Sequence, residues 1–187
     1  KRGLFAVTVA LMATINYFFF SGQVVFIIIY FILRSRCSDF KITKKKFLIL
    51  AFEAIIGTGV AAALLIPSAL SILDNYRVGE RLYGNDLITY SDSTRIWRIV
   101  QSFFMIPDPP ANPNLFNSES AKWASIGGYL PLFSMIGVIS FLKSKPDKWS
   151  SKLIKTCIVC AFVPLLNSAF YMFNASYYAR WYYMPVL

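Results

Sequence analysis

Residues 3–33, GLFAVTVALMATINYFFFSGQVVFIIIYFIL, run for 31 positions without a charged side chain. Basic residues flank them on both sides: Lys1 and Arg2 before, Arg34 and Arg36 after. As one helix the stretch would be about 46 Å long at 1.5 Å per residue, against a hydrocarbon core of roughly 30 Å. Polar Thr14 and Asn16 interrupt it near the middle. Two short helices, about 3–14 and 17–33, meeting in a turn satisfy both the length and the charges, because they return the chain to the side it left. Helices this short need protein or a water-filled cavity over their exposed backbone ends. The alternative is one long, tilted helix.

Apolar runs recur at 47–73, 124–142 and 153–172, and another starts at Arg180. Hydrophobic residues make up 57% of the chain and charged ones 15%, where soluble domains have roughly 45–50% and about 25%. A soluble fold of this length cannot hide that much apolar surface, so lipid covers part of it. The expected fold is all-α: a polytopic integral membrane helical bundle. Starting at Lys1 and stopping at Leu187 inside a fresh apolar run, the chain reads as a single transmembrane fragment of a longer protein.

The net charge of +10 is concentrated. Six of the 19 bases lie in 34–46 and five in 143–155, two short stretches holding only the acids Asp39 and Asp147. The long polar stretch 74–122 has five bases and six acids. Short basic loops set against a near-neutral long one place 34–46 and 143–155 in the cytoplasm and 74–122 outside. No basic patch sits on a foldable soluble surface, which argues against nucleic acid as a partner. Histidine is absent, so Ser-His-Asp hydrolysis and the usual zinc sites are excluded. Cys157 and Cys160 form a C-x-x-C on an apolar helix without further ligands, and read as two small apolar residues on one face.

Within 47–73, Gly57, Gly59 and Ala61–Ala63 offer a smooth face for close helix packing, and Pro67 is expected to kink the outer part. Glu53, an acid inside an apolar span, is a functional candidate or a carboxylate that reaches back to a loop lysine. STRIWRIVQSFFMIP has the spacing of an amphipathic interfacial helix opening near Ser93 and closing before Pro107. The external side then collects Arg77, Arg81, Arg95, Arg98 and Arg180, with Lys122 its lone lysine. Arginine grips phosphate oxygens with a planar fork where lysine is a point charge. Arg95 and Arg98 read best as headgroup anchors or partners of nearby acids. Arg180 is different, because it opens an inward span whose first-turn N–H groups also favour an anion. Around it Tyr177, Tyr178, Trp181, Tyr182 and Tyr183 read as an interfacial aromatic belt.

INYFFFSGQVVFIIIYFILR, LLIPSALSILDNYR and YYARWYYMPVL together resemble the YfhO family of bacterial membrane proteins. That family is related to the GT-C superfamily of glycosyltransferases, which use polyprenyl-phosphate sugars. The resemblance rests on Asn16-Tyr17-Phe18 at the turn, the Pro67-to-Arg77 helix exit and Arg180-Trp181 at a helix entry. It implies a partial GT-C-like transmembrane domain with short paired helices, in the bacterial cytoplasmic membrane and multi-pass. The implied donor is a sugar on undecaprenyl phosphate, and the acceptor an envelope polymer such as a teichoic acid. A carboxylate would take the proton from the acceptor hydroxyl as it attacks the anomeric carbon, while arginines hold the departing lipid phosphate.

The substrate-binding positions so implied are Arg180, Arg77 and Arg81, with Asn16, Tyr17, Tyr177 and Tyr178 around them. The key acid of such enzymes sits in the first external loop, which here would lie before Lys1, so no catalytic base is assigned. This segment requires no cofactor, and a divalent metal is left open. Two other classes stay in view. A transporter or flippase would line its pathway with Glu53 and Asn16, but needs polar groups deep in several helices. The other is a non-catalytic membrane scaffold.

The orientation has a direct check. Single cysteines at Ser38 and Ser118, in full-length protein lacking the native three, should react oppositely with an impermeant thiol reagent. Labelling of Ser38→Cys from outside would reverse the assignment.

Overall fold

The computed structural model describes residues 2–73, 81–91, 94–104, 132–174 and 180–186, and every structural statement here concerns them. They are helical, with one isolated bridge, Arg81 to Asn174, and no strand among them. The chain divides into two units, 1–80 and 81–187.

The first unit holds three helices: α1 (Leu4–Ile15), α2 (Tyr17–Ser35) and α3 (Lys44–Leu73). The break expected between two short helices falls on one residue, Asn16, with φ −155° and ψ 95°. Thr14 does not contribute to it; its hydroxyl donates back to the Ala10 carbonyl at 2.9 Å and stays within α1. Asn16 closes one helix and opens the next. Its N–H donates to the Met12 carbonyl, its own carbonyl accepts from Phe20 N–H at 3.1 Å, and its Oδ1 accepts from Phe19 N–H at 3.3 Å. The last bond is an N-cap, which satisfies an otherwise orphaned helix donor.

The chain reverses at Asn16. Gly3 lies against Glu53 and Val9 against Gly57, so α1 and α3 run in the same direction. The far end of α2 returns to the start of α3, where the Phe31 and Phe47 rings are 5.5 Å apart. α1 goes one way, α2 comes back, and α3 goes out again.

Of the small residues expected to form a smooth face, Gly57 and Ala61 pack against α1 and Gly59 does not. A Cβ on Gly57 would press into the Ala6 carbonyl and lie 2.9 Å from Val9 Cβ, whereas one on Gly59 meets nothing within 4 Å. Ala13 and Ala61, 1% and 0% exposed, continue the contact one turn further on. This is the small-xxx-small solution to close helix approach. Gly57→Ala in the full-length protein should therefore cost about 1–3 kcal/mol in a detergent unfolding titration, because a backbone carbonyl cannot rotate away as a side chain can. Gly59→Ala should stay within about 0.5 kcal/mol of wild type. Equal effects at the two glycines would refute the α1–α3 contact.

Glu53 meets a backbone donor in this arrangement and not a loop lysine. Its Oε1 accepts the backbone N–H of Gly3 at 2.9 Å, the residue that caps α1 with a left-handed φ of 82°. A carboxylate at a helix N-terminus also meets the positive end of the dipole.

Among the described residues α3 is the one helix both long and apolar enough to cross a membrane, over Lys44–Ser71, and only 11% of its apolar window is buried. A soluble core helix would be mostly buried, so α3 needs lipid or further protein around it. Pro67 lies inside α3.

The second unit holds a 3-10 turn (Gly84–Leu87), α4 (Thr94–Phe104), α5 (Leu132–Ser144), α6 (Trp149–Phe162), α7 (Pro164–Ala169), a second 3-10 turn (Arg180–Tyr182) and α8 (Tyr183–Val186). The surface helix expected after Ser93 is α4, although Ser93 itself lies outside the described residues. Its wide apolar stripe is divided: Ile99 packs inward at 4% exposure while Trp97 is 63% exposed. Of the span expected at 124–142, α5 covers the part from Leu132, and 124–131 lie outside the described residues.

The span expected as one helix over 153–172 is two. α6 stops at Phe162, Val163 is extended at φ −104° and ψ 114°, and Pro164 starts α7. Proline disfavours a helical conformation in the residue before it and has no N–H to continue the α6 ladder. Cys157 and Cys160 are free, buried on α6, and pack as the small apolar groups expected.

Candidate functional site

The helix break at Val163 builds the centre of the second unit. Where α6 stops, the Ala161 carbonyl loses the partner a continuous helix would supply. The Tyr90 hydroxyl fills that place, donating to Ala161 O at 2.7 Å. Asn167 Nδ2, on the α7 fragment, donates to the Tyr90 hydroxyl oxygen at 3.2 Å. Asn167 Oδ1 in turn accepts the Trp181 Nε1–H at 2.8 Å. Asn167 and Trp181 are each 1% exposed and Tyr90 is 6%. A buried polar chain of this kind rigidifies what it joins, because each member left unpaired in low dielectric would be costly.

Trp181 also stacks on Phe170 with ring centroids 3.8 Å apart and planes 7° from parallel. Tyr182 sits 5.1 Å from Phe103, edge to face. The expectation of an interfacial aromatic belt is thus corrected at two positions. Trp181 and Tyr182 are buried in the unit, at 1% and 5% exposure, because Asn167 and the neighbouring rings give them a better environment than the boundary.

The turn anchored by Trp181 begins at Arg180, whose side chain is outside the described ones. The helical elements there have three and four residues, so the dipole they would present to an anion is small. Beside Tyr182, an apolar cavity of about 300 Å³ is walled by Val100, Phe103, Ile139, Leu142, Phe162 and Pro185 among others.

Arg81 is fixed to the turn after α7. Its Nη1 donates to the Met172 carbonyl at 2.6 Å, and its backbone bridges Asn174. Met172 and Phe173 both take left-handed backbone angles, φ 57° and 60°, which bulky residues adopt only when their surroundings impose it. Phe173 N–H on the Ser168 carbonyl at 2.8 Å and the Arg81 bond supply that constraint.

Arg95 is no headgroup anchor: it is 8% exposed, with its guanidinium carbon 5.8 Å from the Tyr90 ring centroid. Asn16 caps α2 in the first unit, and Tyr17 beside it is 45% exposed. Arg77, Tyr177 and Tyr178 lie outside the described residues. The structure therefore ties Arg81 to Met172 and Asn174, and gives Asn16 a capping role in the first unit.

Tyr90 and Asn167 were absent from the expected site. Asn167 had a signal, a lone amide in the apolar run VPLLNSAF three residues after a proline. Tyr90 had none in its own polar surroundings.

The family model for YfhO, a bacterial membrane protein, matches residues 1–186. The chain belongs to the YfhO family. No curated protein and no solved structure matches it. Membership of YfhO, a membrane protein family, accounts for the exposed apolar surface of α3, which a water-soluble protein would have to cover. In this YfhO chain the Trp181–Asn167–Tyr90 network is a buried chain of three hydrogen bonds among the described residues of the second unit.

Proposed function

We propose that this YfhO-family protein is a multi-pass, GT-C-like glycosyltransferase of the bacterial cytoplasmic membrane, moving a sugar from a polyprenyl-phosphate donor to a cell-envelope acceptor on the external face. The observation that carries the reading is the buried Trp181–Asn167–Tyr90 chain, which fixes the turn opened by Arg180. A leaving phosphate is best stabilised by a donor that need not reorganise as charge develops, and a rigid turn supplies that. Arg81, pinned at Met172, offers a further guanidinium in this unit. The apolar cavity beside Tyr182 suits the first part of a lipid tail next to a charged head.

No residue of 1–187 is assigned as the carboxylate that activates the acceptor. Arg77, Tyr177 and Tyr178 remain candidate ligands, and Asn16 and Tyr17 remain candidates within the first unit. For a transporter reading, Glu53 is the main residue, and it bonds the N-terminus of α1.

Binding of the leaving group tests the reading. Full-length protein should retain polyprenyl phosphate at least about tenfold more tightly than the matching polyprenol, a difference of about 1.4 kcal/mol for the charged head. Equal retention would remove the phosphate site.

A further inference from the structure

The connection between α2 and α3 forms a shallow, open cavity of about 930 Å³, whose two halves differ in chemistry. One wall is apolar, formed by Phe31, Phe40, Phe47 and Leu48. Phe31 holds it together, 5.5 Å from Phe47 and 6.5 Å edge to face from Phe40. The rim carries Arg36, Lys41 and Lys44, all exposed.

The charge on that rim is not neutralised locally. Asp39 is the one acid between residues 34 and 46, and both of its oxygens accept from Arg34 Nη1 at 2.9 Å. That bond, foremost among several causes, raises the Arg34 pKa above its ordinary value. Glu53, the other acid described in this unit, is bonded to Gly3. Three cations thus surround the mouth of an aromatic pocket.

The apolar wall does not end at the cavity. Leu48, Phe52 and Ile55, at 65%, 63% and 69% exposure, follow at helical spacing along one side of α3. A soluble phosphate would leave this wall bare, and a neutral lipid would leave the rim without a counter-charge. A ligand with an anionic head and an acyl chain matches both.

We propose that this cavity is a binding site for an anionic phospholipid, with the phosphate on Arg36, Lys41 and Lys44 and the chain lying over Phe47 and Leu48 along α3. Basic pockets beside membrane helices recognise such headgroups by this combination of charge and apolar contact. The site is independent of glycosyl transfer: it rests on the membrane location of the family, so failure of either reading leaves the other standing.

Native mass spectrometry of full-length protein in mild detergent tests it, with phosphatidylglycerol and phosphatidylcholine as probes. Wild type should retain phosphatidylglycerol in preference to phosphatidylcholine, and millimolar inorganic phosphate should not displace it. Arg36→Gln/Lys41→Gln/Lys44→Gln should lose about a hundredfold in phosphatidylglycerol retention, the effect of three cations near a charged headgroup. Lys145→Gln/Lys148→Gln/Lys152→Gln, which removes the same charge from the other basic loop, should retain it. Equal loss in the two variants, equal retention of the two lipids, or displacement by phosphate alone would each overturn the proposal. If the first variant does not fold by circular dichroism, Leu48→Asn decides, since it keeps every charge; undiminished phosphatidylglycerol retention there is equally fatal.

Discussion

Trp181→Ala is expected to destabilise the full-length protein by about 3–5 kcal/mol, the range for removing a fully buried large aromatic side chain. Two losses combine. The indole leaves a void against Phe170, on which it stacks at 3.8 Å, and Asn167 Oδ1 is left buried without its donor. Trp181→Phe separates them, because it keeps the stack and removes the N–H; it should cost about 1–3 kcal/mol, the penalty of an orphaned buried acceptor. Combining Trp181→Phe with Asn167→Ala should cost less than the sum of the two, since the second change removes the group the first one orphaned. Unfolding followed by circular dichroism in detergent reads all three. Additive losses, or a Trp181→Ala protein as stable as wild type, would mean that the indole and amide do not form the unit's centre.

Arg180→Ala is expected to lower the transfer rate by about 2–4 kcal/mol of transition-state stabilisation, roughly thirty- to a thousandfold, with little change in stability. The contacts that hold the unit run through Trp181, Phe170 and Asn167, so truncating the arginine should leave that network whole. Arg180→Lys keeps the charge but loses the two-pronged grip, and should fall between wild type and alanine. Arg81→Ala should behave differently. Its guanidinium holds the Met172 carbonyl in a turn with two left-handed residues, so both stability and activity should decline. Full activity in Arg180→Ala would reduce that arginine to a membrane anchor.

The first unit was largely legible because its signals are local. An uncharged run too long for one span, basic residues at both ends and a single asparagine suffice to place the turn, and the structure puts it on Asn16. The close-packing face was legible as a composition and not as a surface. Only contact with Ala6 and Val9 distinguishes Gly57 from Gly59 two residues later. Glu53 was recognisable as an unusual acid, but its partner is a backbone N–H 50 residues away, which no spacing rule reaches.

The second unit was harder for the same reason. Pro164 could have signalled a helix break, yet apolar residues on both sides of it read as one continuous span. The polar chain that follows joins residues 71, 77 and 14 positions apart. Trp181 shows the cost of reading composition alone: flanked by tyrosines it looks interfacial, and only the amide of Asn167 places it inside.

The central claim is group transfer from a lipid-linked donor, and the most direct measurement follows the bond that would break. Full-length protein reconstituted in proteoliposomes is supplied with a polyprenyl-phosphate sugar labelled in the sugar and an envelope-polymer acceptor on the side of residues 74–122. The account predicts that label enters the acceptor with release of one polyprenyl phosphate per sugar moved, and that Arg180→Ala slows both together. Movement of the intact labelled lipid across the bilayer, with no polyprenyl phosphate released, would contradict it.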